Sequence, residues 1–377
     1  MNLTVRSLPT TDHLAWVREV SPEHSISFLQ TPAWGQVKTD WRHESIGWFN
    51  GQELVAAALV LHRAIPRLGR TLTYLPEGPA IAAVRPEIPT KQWVEPLLNY
   101  LRSTKAFSVK MGPPLVSRHW EADTIKNAIA DSSIHRLSEI TADYTDERAL
   151  QVAAELLATG WTQRTAQAGF ADVQPRYVFQ LDLSGKSLDE LAAGFSQEWR
   201  RNIRKAEASG VQVREGSRDD LATFHQVYIE TAARDGFRPR PVTYFERMWD
   251  ALRAEDAQRL RLFLAEHNGI TVAATTLATV GRHAWYSYGA STTASRAVRP
   301  SHATQWAMIQ AAHAAGCHTY DLRGISDTVS EHDPLFGLIR FKVGTGGRAV
   351  EYIGEFDYPL NRVLHRAVGA YLNRRTG

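Results

Sequence analysis

"SIGWFNGQELVAAALVLHRA" (45–64) and "LRLFLAEHNGITVAATTLATV" (260–280) are the two stretches that decide the fold. Each reads as two β-strands joined at an Asn-Gly pair, Asn50-Gly51 in the first and Asn268-Gly269 in the second. That dipeptide supplies the positive φ that a tight hairpin turn demands. Both stretches then run into a Val-Ala-Ala strand, "NGQELVAAAL" and "NGITVAATTL". A further aromatic strand containing Gly follows each, "LTYLPEGPA" (72–80) and "AWYSYGAS" (284–291). Helical stretches come next in matching places, "TKQWVEPLLNYLRST" (90–104) and "SHATQWAMIQAAHAAG" (301–316), the second leading to the strand "HTYDLRGI" (318–325). The order strand, hairpin, strand, helix, strand occurs twice, which predicts an internal duplication. Strands alternating with helices place the chain in the α/β or α+β class, as two tandem acyltransferase-like domains. The turn-rich segment "GFADVQPRYVFQLDLS" (169–184) marks the junction.

Composition agrees with this reading and excludes others. A chain of 377 residues is too long for one ordinary core. An apolar fraction of 44%, with 11 Trp, 12 Tyr and 13 Phe, excludes a disordered chain. The net charge of +3 confines any anionic partner to local basic patches. Cys317 is the only cysteine, so neither a disulfide framework nor a cysteine-based metal site is available, as suits a reducing cytosol. In "AAGCHTY" it reads as a small core residue. "MNLTVRSLPTTD" lacks the apolar stretch of a signal peptide, and the longest apolar run, "LVAAALVL" (54–61), is too short to span a bilayer. A cytoplasmic protein is expected, with docking on a membrane surface left open.

One local charge cluster stands out. "EWRRNIRKAEASG" (198–210) carries Arg200, Arg201, Arg204 and Lys205, while Trp199, Ile203 and Ala206 recur at helical spacing on another face. Gly210 ends the helix. Taken alone, such a face is a solvated helix surface as readily as a surface for a polyanion.

Several catalytic patterns are absent: no GxSxG elbow, no HExxH, no CxxC pair, and no metal-ligand spacing among the 14 histidines. His62, His283 and His302 read as surface or hydrogen-bonded core residues. The glycine-rich "VGTGG" (343–347) runs on into the strand-like "RAVEYIGEF", so it reads as a turn or bulge and not as a phosphate loop. An acyl-CoA donor would need a Gly-rich turn before the central helix. "SRAVRPSHATQW" (295–306) has Pro300, Ser301 and His302 there, and "AAVRPEIPTKQW" (82–93) is no better.

The chain resembles the FemABX family of non-ribosomal peptidyltransferases. The likeness is carried by "TPAWGQVK" (31–38), "EWRRNIRKAEASGV" (198–211), "ARDGFRPRPVTYF" (233–245), "YDLRGI" (320–325) and "DPLFGLIRFKVGTGGRAVEYIGEFDYPL" (333–360), in the family's order. The resemblance implies two GNAT-like domains in a monomer: residues 1–170, completed by a C-terminal segment 354–377, and residues 171–353. The stretch between Gly210 and "VYIETAARDGF" (227–237) is too short for the helical-hairpin arm of some members, which implies the FemX-like type.

The activity implied is transfer of an amino acid, glycine or alanine, from aminoacyl-tRNA to an amine of a peptidoglycan precursor. That acceptor is lipid II or the UDP-MurNAc-pentapeptide. The alternative is aminoacylation of a peptide antibiotic or other small metabolite, and a non-catalytic RNA-binding module is a third reading. No cofactor or metal is implied, because the charged tRNA is itself the activated donor. A tRNA donor would give Arg200, Arg201, Arg204 and Lys205 phosphates to neutralise.

The family's catalytic lysine, in its Phe-Lys-x-Gly motif, matches Phe341 and Lys342, where an ammonium would stabilise the oxyanion of ester aminolysis. Without that motif Lys342 would read as a strand-end lysine in water. Thr345 stands where the family has an aromatic. The Trp-x-x-x-Lys motif matches Trp34 and Lys38, and the phosphate-contacting arginine with a tyrosine four residues on matches Arg240 and Tyr244. A second substrate-facing tyrosine falls in "WYSYGAS" and is assigned to Tyr288 over Tyr286. Gly112 stands where some members carry an acidic residue, which leaves no evident general base.

Overall fold

A computed structural model of the protein describes residues 2–65, 69–163 and 174–368. The chain folds into two compact units, Met1–Arg118 with Thr145–Arg176 and Glu351–Gly377, and His119–Tyr144 with Tyr177–Val350. The junction expected at 170/171 lies outside the described residues. Residues 119–144, assigned to the first domain from sequence, belong to the second unit. Their helix Ala122–Ala130 buries Ile125 and Ala128, and Trp120 and Leu137 join the same core as Phe179, Leu181 and Tyr320. No motif in that stretch indicates which core its apolar face will meet.

In the first unit the sheet order is β1-β2-β3-β4-β5-β16-β8. The strands are β1 (Leu3–Leu8), β2 (Arg42–Asn50), β3 (Glu53–Ile65), β4 (Arg70–Leu75), β5 (Ala106–Met111), β8 (Thr162–Gln163) and β16 (Phe356–Pro359). β4 and β5 are parallel, so the chain needs a crossover between them. Helix Thr90–Ser103 supplies it, burying Trp93, Val94, Leu97, Leu98 and Leu101 along one face. Trp48 of β2 locks on by donating its indole N–H to the Trp93 carbonyl at 2.9 Å.

The second sheet repeats the plan: β10 (Gln212–Gly216), β11 (Leu260–His267), β12 (Ile270–Val280), β13 (His283–Ser291), β14 (Thr319–Ile325) and β9 (Tyr177–Asp182) lie side by side in that order. The sheet continues through β15 (Arg348–Tyr352), β6 (Val116–Glu121) and β7 (Tyr144–Thr145). Again one pair, β13 and β14, is parallel, and helix Pro300–Ala314 crosses between them. Two GNAT-like folds in tandem make this mixed α/β chain.

The duplication reaches the register. Trp48 faces Ala56 and Phe49 faces Leu54, so Val55 is an extra residue; Ala265 faces Ala273 and Glu266 faces Thr271, so Val272 is the same extra residue. A bulge at the same place in both hairpins marks Val55 and Val272 as equivalent. The turn expected at Asn50-Gly51 is thereby displaced by one residue. The second loop is Asn268-Gly269, both left-handed with φ of 53° and 75°, but the first is Gly51-Gln52, with Asn50 paired to Glu53 as the last residue of its strand. Matching the two Asn-Gly pairs directly puts the loops one position out.

Candidate active site

The basic helix spans Gln197–Ala208 and starts where Ser196 Oγ accepts the Trp199 N–H at 3.2 Å. Trp199, Asn202 and Ala206 are buried and Ile203 is half-buried. Asn202 is the addition to the face expected from sequence. Its amide stays satisfied beneath the helix by a 3.2 Å hydrogen bond with His302 Nε2. Arg201, Arg204 and Lys205 are exposed, and among the described residues none of them pairs with a carboxylate. Arg200 is exposed too, but it spends one N–H on the Ala193 carbonyl at 2.7 Å.

Beneath the N-terminal end of this helix lies the turn that carries Lys342. The lysine is not at a strand end in water. It sits on helix Phe336–Val343 with only 3% of its surface exposed. Its Nζ donates to two carbonyls, Gly324 O at 2.7 Å and Arg323 O at 3.1 Å. Its pKa is lowered from the ordinary value to about 7: burial is the main cause, Asp321 opposes it, and the Arg323 guanidinium adds to it. Near neutral pH the group therefore exists as ammonium and as amine. The ammonium can stabilise a developing oxyanion, and the amine can take a proton.

The turn after Lys342 explains the glycine-rich sequence. A Cβ on Gly344 would come within 2.2 Å of Trp199 Cδ1, and one on Gly346, at φ 73°, within 2.4 Å of the Gly194 carbonyl. Only bare backbone can approach so closely. Thr345, in the place of an aromatic, is buried and closes the turn by donating its hydroxyl to the Lys342 carbonyl at 2.7 Å. Trp199 donates its indole N–H to the Phe341 carbonyl at 2.7 Å. The Phe341 ring packs 4.9 Å from Trp199 and 5.0 Å from His302. Burial, with Arg299 nearby, lowers the His302 pKa to about 4, so that imidazole is neutral. The basic helix and the Lys342 turn thus share one aromatic joint.

A second cluster of the same unit gathers Arg240, Tyr244 and Tyr288. Tyr244, on helix Val242–Glu255, and Tyr288, on β13, bring their hydroxyls 3.0 Å apart. The exposed Arg240 guanidinium lies 5.2 Å from the Tyr244 ring. Burial raises the pKa of both phenols, so both are neutral donors near pH 7. The choice between Tyr286 and Tyr288 turns on a bulge. Thr276 faces Tyr288 while its neighbour Leu277 faces Tyr286, which leaves Ser287 as the extra residue. In an unbroken strand residues two apart share a face. Here the bulge sends Tyr286 into the core with Met308 and lets Tyr288 join Tyr244 and Phe245.

Lys38 and Trp34 belong to the first unit. Trp34 is buried on helix Pro32–Val37, and Lys38, which ends that helix, holds Nζ 5.0 Å from the Trp34 ring. The first unit also holds a carboxylate that sequence reading missed. A Cβ on Gly112 would meet Glu355 Cγ at 3.3 Å, and buried Glu355 accepts the Tyr74 hydroxyl at 2.6 Å. The carboxylate missing at Gly112 in sequence is thus present in space, brought by the segment leading into β16. Among the described residues no group of His, Cys, Asp and Glu could hold a metal ion, and no helix is long and apolar enough to cross a membrane.

The buried lysine has a consequence for stability. Lys342 titrates near 7 when folded and near its ordinary 10.5 when unfolded. Between those values the unfolded chain binds the extra proton, so Lys342 makes stability rise with pH across that window. Lys342→Met removes this contribution. Urea midpoints measured from pH 7 to 10 are expected to rise less steeply in the variant than in the native protein, and equal slopes would count against the low folded-state pKa.

The FemAB family model matches residues 8–268 and 257–372. The lipid II:glycine glycyltransferase of Staphylococcus saprophyticus is 24% identical over 403 residues, covering 90% of this chain and 90% of that relative. The protein of the same name from Staphylococcus aureus strain MRSA252 is 24% identical over 429 residues, covering 95% and 93%. Among solved structures, a crystal structure of FemX superposes with a TM-score of 0.78 at 23% identity, over 97% of this chain and 99% of that one. With a family match that extends over nearly its whole length, the chain belongs to the FemAB family.

Proposed function

We propose that the protein transfers an amino acid, glycine or alanine, from aminoacyl-tRNA to an amine of a peptidoglycan-precursor pentapeptide, lipid-linked or UDP-linked. The observation that carries this reading is Lys342: buried, held by two carbonyls, titrating near 7, and joined through Phe341 and Trp199 to an exposed basic helix. The acceptor nitrogen attacks the ester carbonyl carbon of the charged tRNA, a C–N bond forms, and the negative charge moves to the carbonyl oxygen. Collapse breaks the bond from that carbon to the ribose oxygen, which leaves as the ribose hydroxyl once it gains a proton. The nitrogen gives up a proton in exchange. Lys342 as ammonium lowers the energy of the oxyanion.

Arg201, Arg204 and Lys205 offer cations to the tRNA backbone without base readout. Arg240, with the paired phenols of Tyr244 and Tyr288, suits the diphosphate of the acceptor. Lys38 is assigned to the same substrate. Curated relatives named for glycine transfer to lipid II support this acceptor class. The reaction belongs in the cytoplasm, at the inner membrane face when the acceptor is lipid-linked, and needs no cofactor beyond the charged tRNA. The two units, Met1–Arg118 with Thr145–Arg176 and Glu351–Gly377, and His119–Tyr144 with Tyr177–Val350, are the domains proposed to carry it out.

The deciding experiment offers the purified protein a panel of charged tRNAs with UDP-linked pentapeptide, lipid II or free peptide. Transfer to a precursor pentapeptide is expected. Transfer to free peptide alone would move the assignment to metabolite aminoacylation, and binding of tRNA without turnover would remove the enzymatic reading. Lys38→Ala and Arg240→Ala are each expected to weaken acceptor binding by about 1.5–3 kcal/mol, as when a charge-assisted hydrogen bond is lost. Titration calorimetry with UDP-linked pentapeptide measures this directly, and two variants of native affinity would sink the diphosphate assignment.

A further inference from the structure

Two residues of β14 that carry no role in the reading above converge on Lys342. β14 pairs with β9 through a break in register: Asp321 faces Gln180 but Gly324 faces Val178, so one residue of β14 is extra. Arg323 sits in that bulge with φ of 64°, a left-handed backbone that costs a non-glycine residue about 1 kcal/mol or more. In a regular strand successive carbonyls point to opposite sides, so a single ammonium could not be held by two in a row. The bulge brings the Arg323 and Gly324 carbonyls onto the same Nζ. Asp321 pins it, its Oδ1 accepting the Arg323 N–H at 2.5 Å. Asp321 is itself buried, accepts from Gln180 Nε2 at 3.2 Å, and lies 3.6 Å from His283 Nε2.

We propose that Asp321 and Arg323 are positioning residues for Lys342: together they hold the bulge whose two carbonyls clamp its Nζ. This rests on the catalytic reading of Lys342. The supporting electrostatics run in opposite senses, Asp321 favouring the ammonium and Arg323 disfavouring it, on a group that burial has already weakened. Other charges do not dominate the site. Helix Ala122–Ala130 brings Asp123 and Lys126, which pair with each other at 2.8 Å on its exposed side. On β9, Asp182 pairs with Lys186 at 3.5 Å. Helix Gln197–Ala208 presents Trp199, and helix Pro300–Ala314 presents the neutral His302. Arg340, on the helix of Lys342, is exposed.

The test uses full-length protein labelled with 13C at lysine Cε, with the Lys342 signal identified by its loss in Lys342→Met. Asp321→Asn keeps an oxygen to accept the Arg323 N–H but removes the charge. Its Lys342 midpoint is expected to fall by about one pH unit. Arg323→Gln, at a half-exposed site, is expected to raise the midpoint by about one pH unit, and Arg323→Lys to restore it. Displacements in opposite directions are the signature, since mere loosening of the fold would move both variants the same way. Displacement in one direction only, or none, overturns the proposal, and Arg323→Gln decides alone if Asp321→Asn does not fold.

Single-turnover transfer at saturating substrates separates this proposal from the one beneath it. The ratio of variant to native rate cancels the titration of the acceptor amine. For Asp321→Asn that ratio is expected to fall roughly five-fold at pH 7, following the smaller protonated fraction, and to recover toward pH 5.5. If Lys342→Met transfers at the native rate, the catalytic role falls while the NMR shifts still report the coupling. If Lys342→Met is inactive and the midpoints stay put, the positioning roles fall while the catalytic role stands.

Discussion

Lys342→Met is expected to lower the single-turnover rate of transfer by about 100- to 1000-fold while leaving both substrates bound, because an oxyanion donor acts only in the transition state. Methionine suits the test, since it fills a similar volume in a site where 3% of the lysine is exposed. It lacks both the hydrogens that reach the Arg323 and Gly324 carbonyls and the charge that would face the oxyanion. Arginine is expected to rescue poorly, because a planar fork cannot take the place of a compact ammonium between two backbone oxygens. Arg204→Ala makes the contrast: it is expected to weaken tRNA binding and flatten its salt dependence with the saturated rate unchanged. A native rate for folded Lys342→Met would falsify the assigned role.

The second large effect is expected at Trp199. This side chain joins the basic helix to the Lys342 turn: its ring packs against Phe195, His302 and Phe341, and its indole N–H holds the Phe341 carbonyl. Trp199→Ala opens a cavity there and strands that carbonyl, so unfolding free energy is expected to drop by about 3–5 kcal/mol. Trp199→Phe keeps most of the packing and loses the hydrogen bond, for about 1 kcal/mol. Urea titrations of both variants check the order. If Trp199→Phe proves as damaging as Trp199→Ala, the hydrogen bond matters more than the packing. If neither is destabilised, the joint has no structural role. Since Gly344 leaves no room for a Cβ beside this indole, Gly344→Ala is predicted to act through the same joint.

Much of the site was legible as residue types and little of it as geometry. The Phe-Lys pair, the arginine with its tyrosine, and the basic helix are each contiguous in sequence, and a motif can carry them. The environment of Lys342 is not contiguous. Asp321 and Arg323 come from β14, Trp199 from another helix, and the lowered pKa from burial, opposed by the charge of Asp321 and aided by that of Arg323. A sequence motif marks the lysine without telling whether it lies in water or in the core. Glu355 was missed for the same reason: Gly112 reads as a lost carboxylate until a distant segment places another beside it.

By itself the sequence determined the repeated hairpin, the crossover helix in each half and the two-sheet class, because turn chemistry and hydrophobic period act over a few neighbouring residues. It determined the basic face of helix Gln197–Ala208 for the same reason. Tertiary structure alone decided three things. It set the unit to which residues 119–144 belong, since an apolar helix face does not name its partner. It set the bulges that separate Tyr286 from Tyr288 and turn two carbonyls onto Lys342, since register is a property of paired strands. And it set the protonation of Lys342, since desolvation depends on what surrounds a side chain and not on which side chain it is.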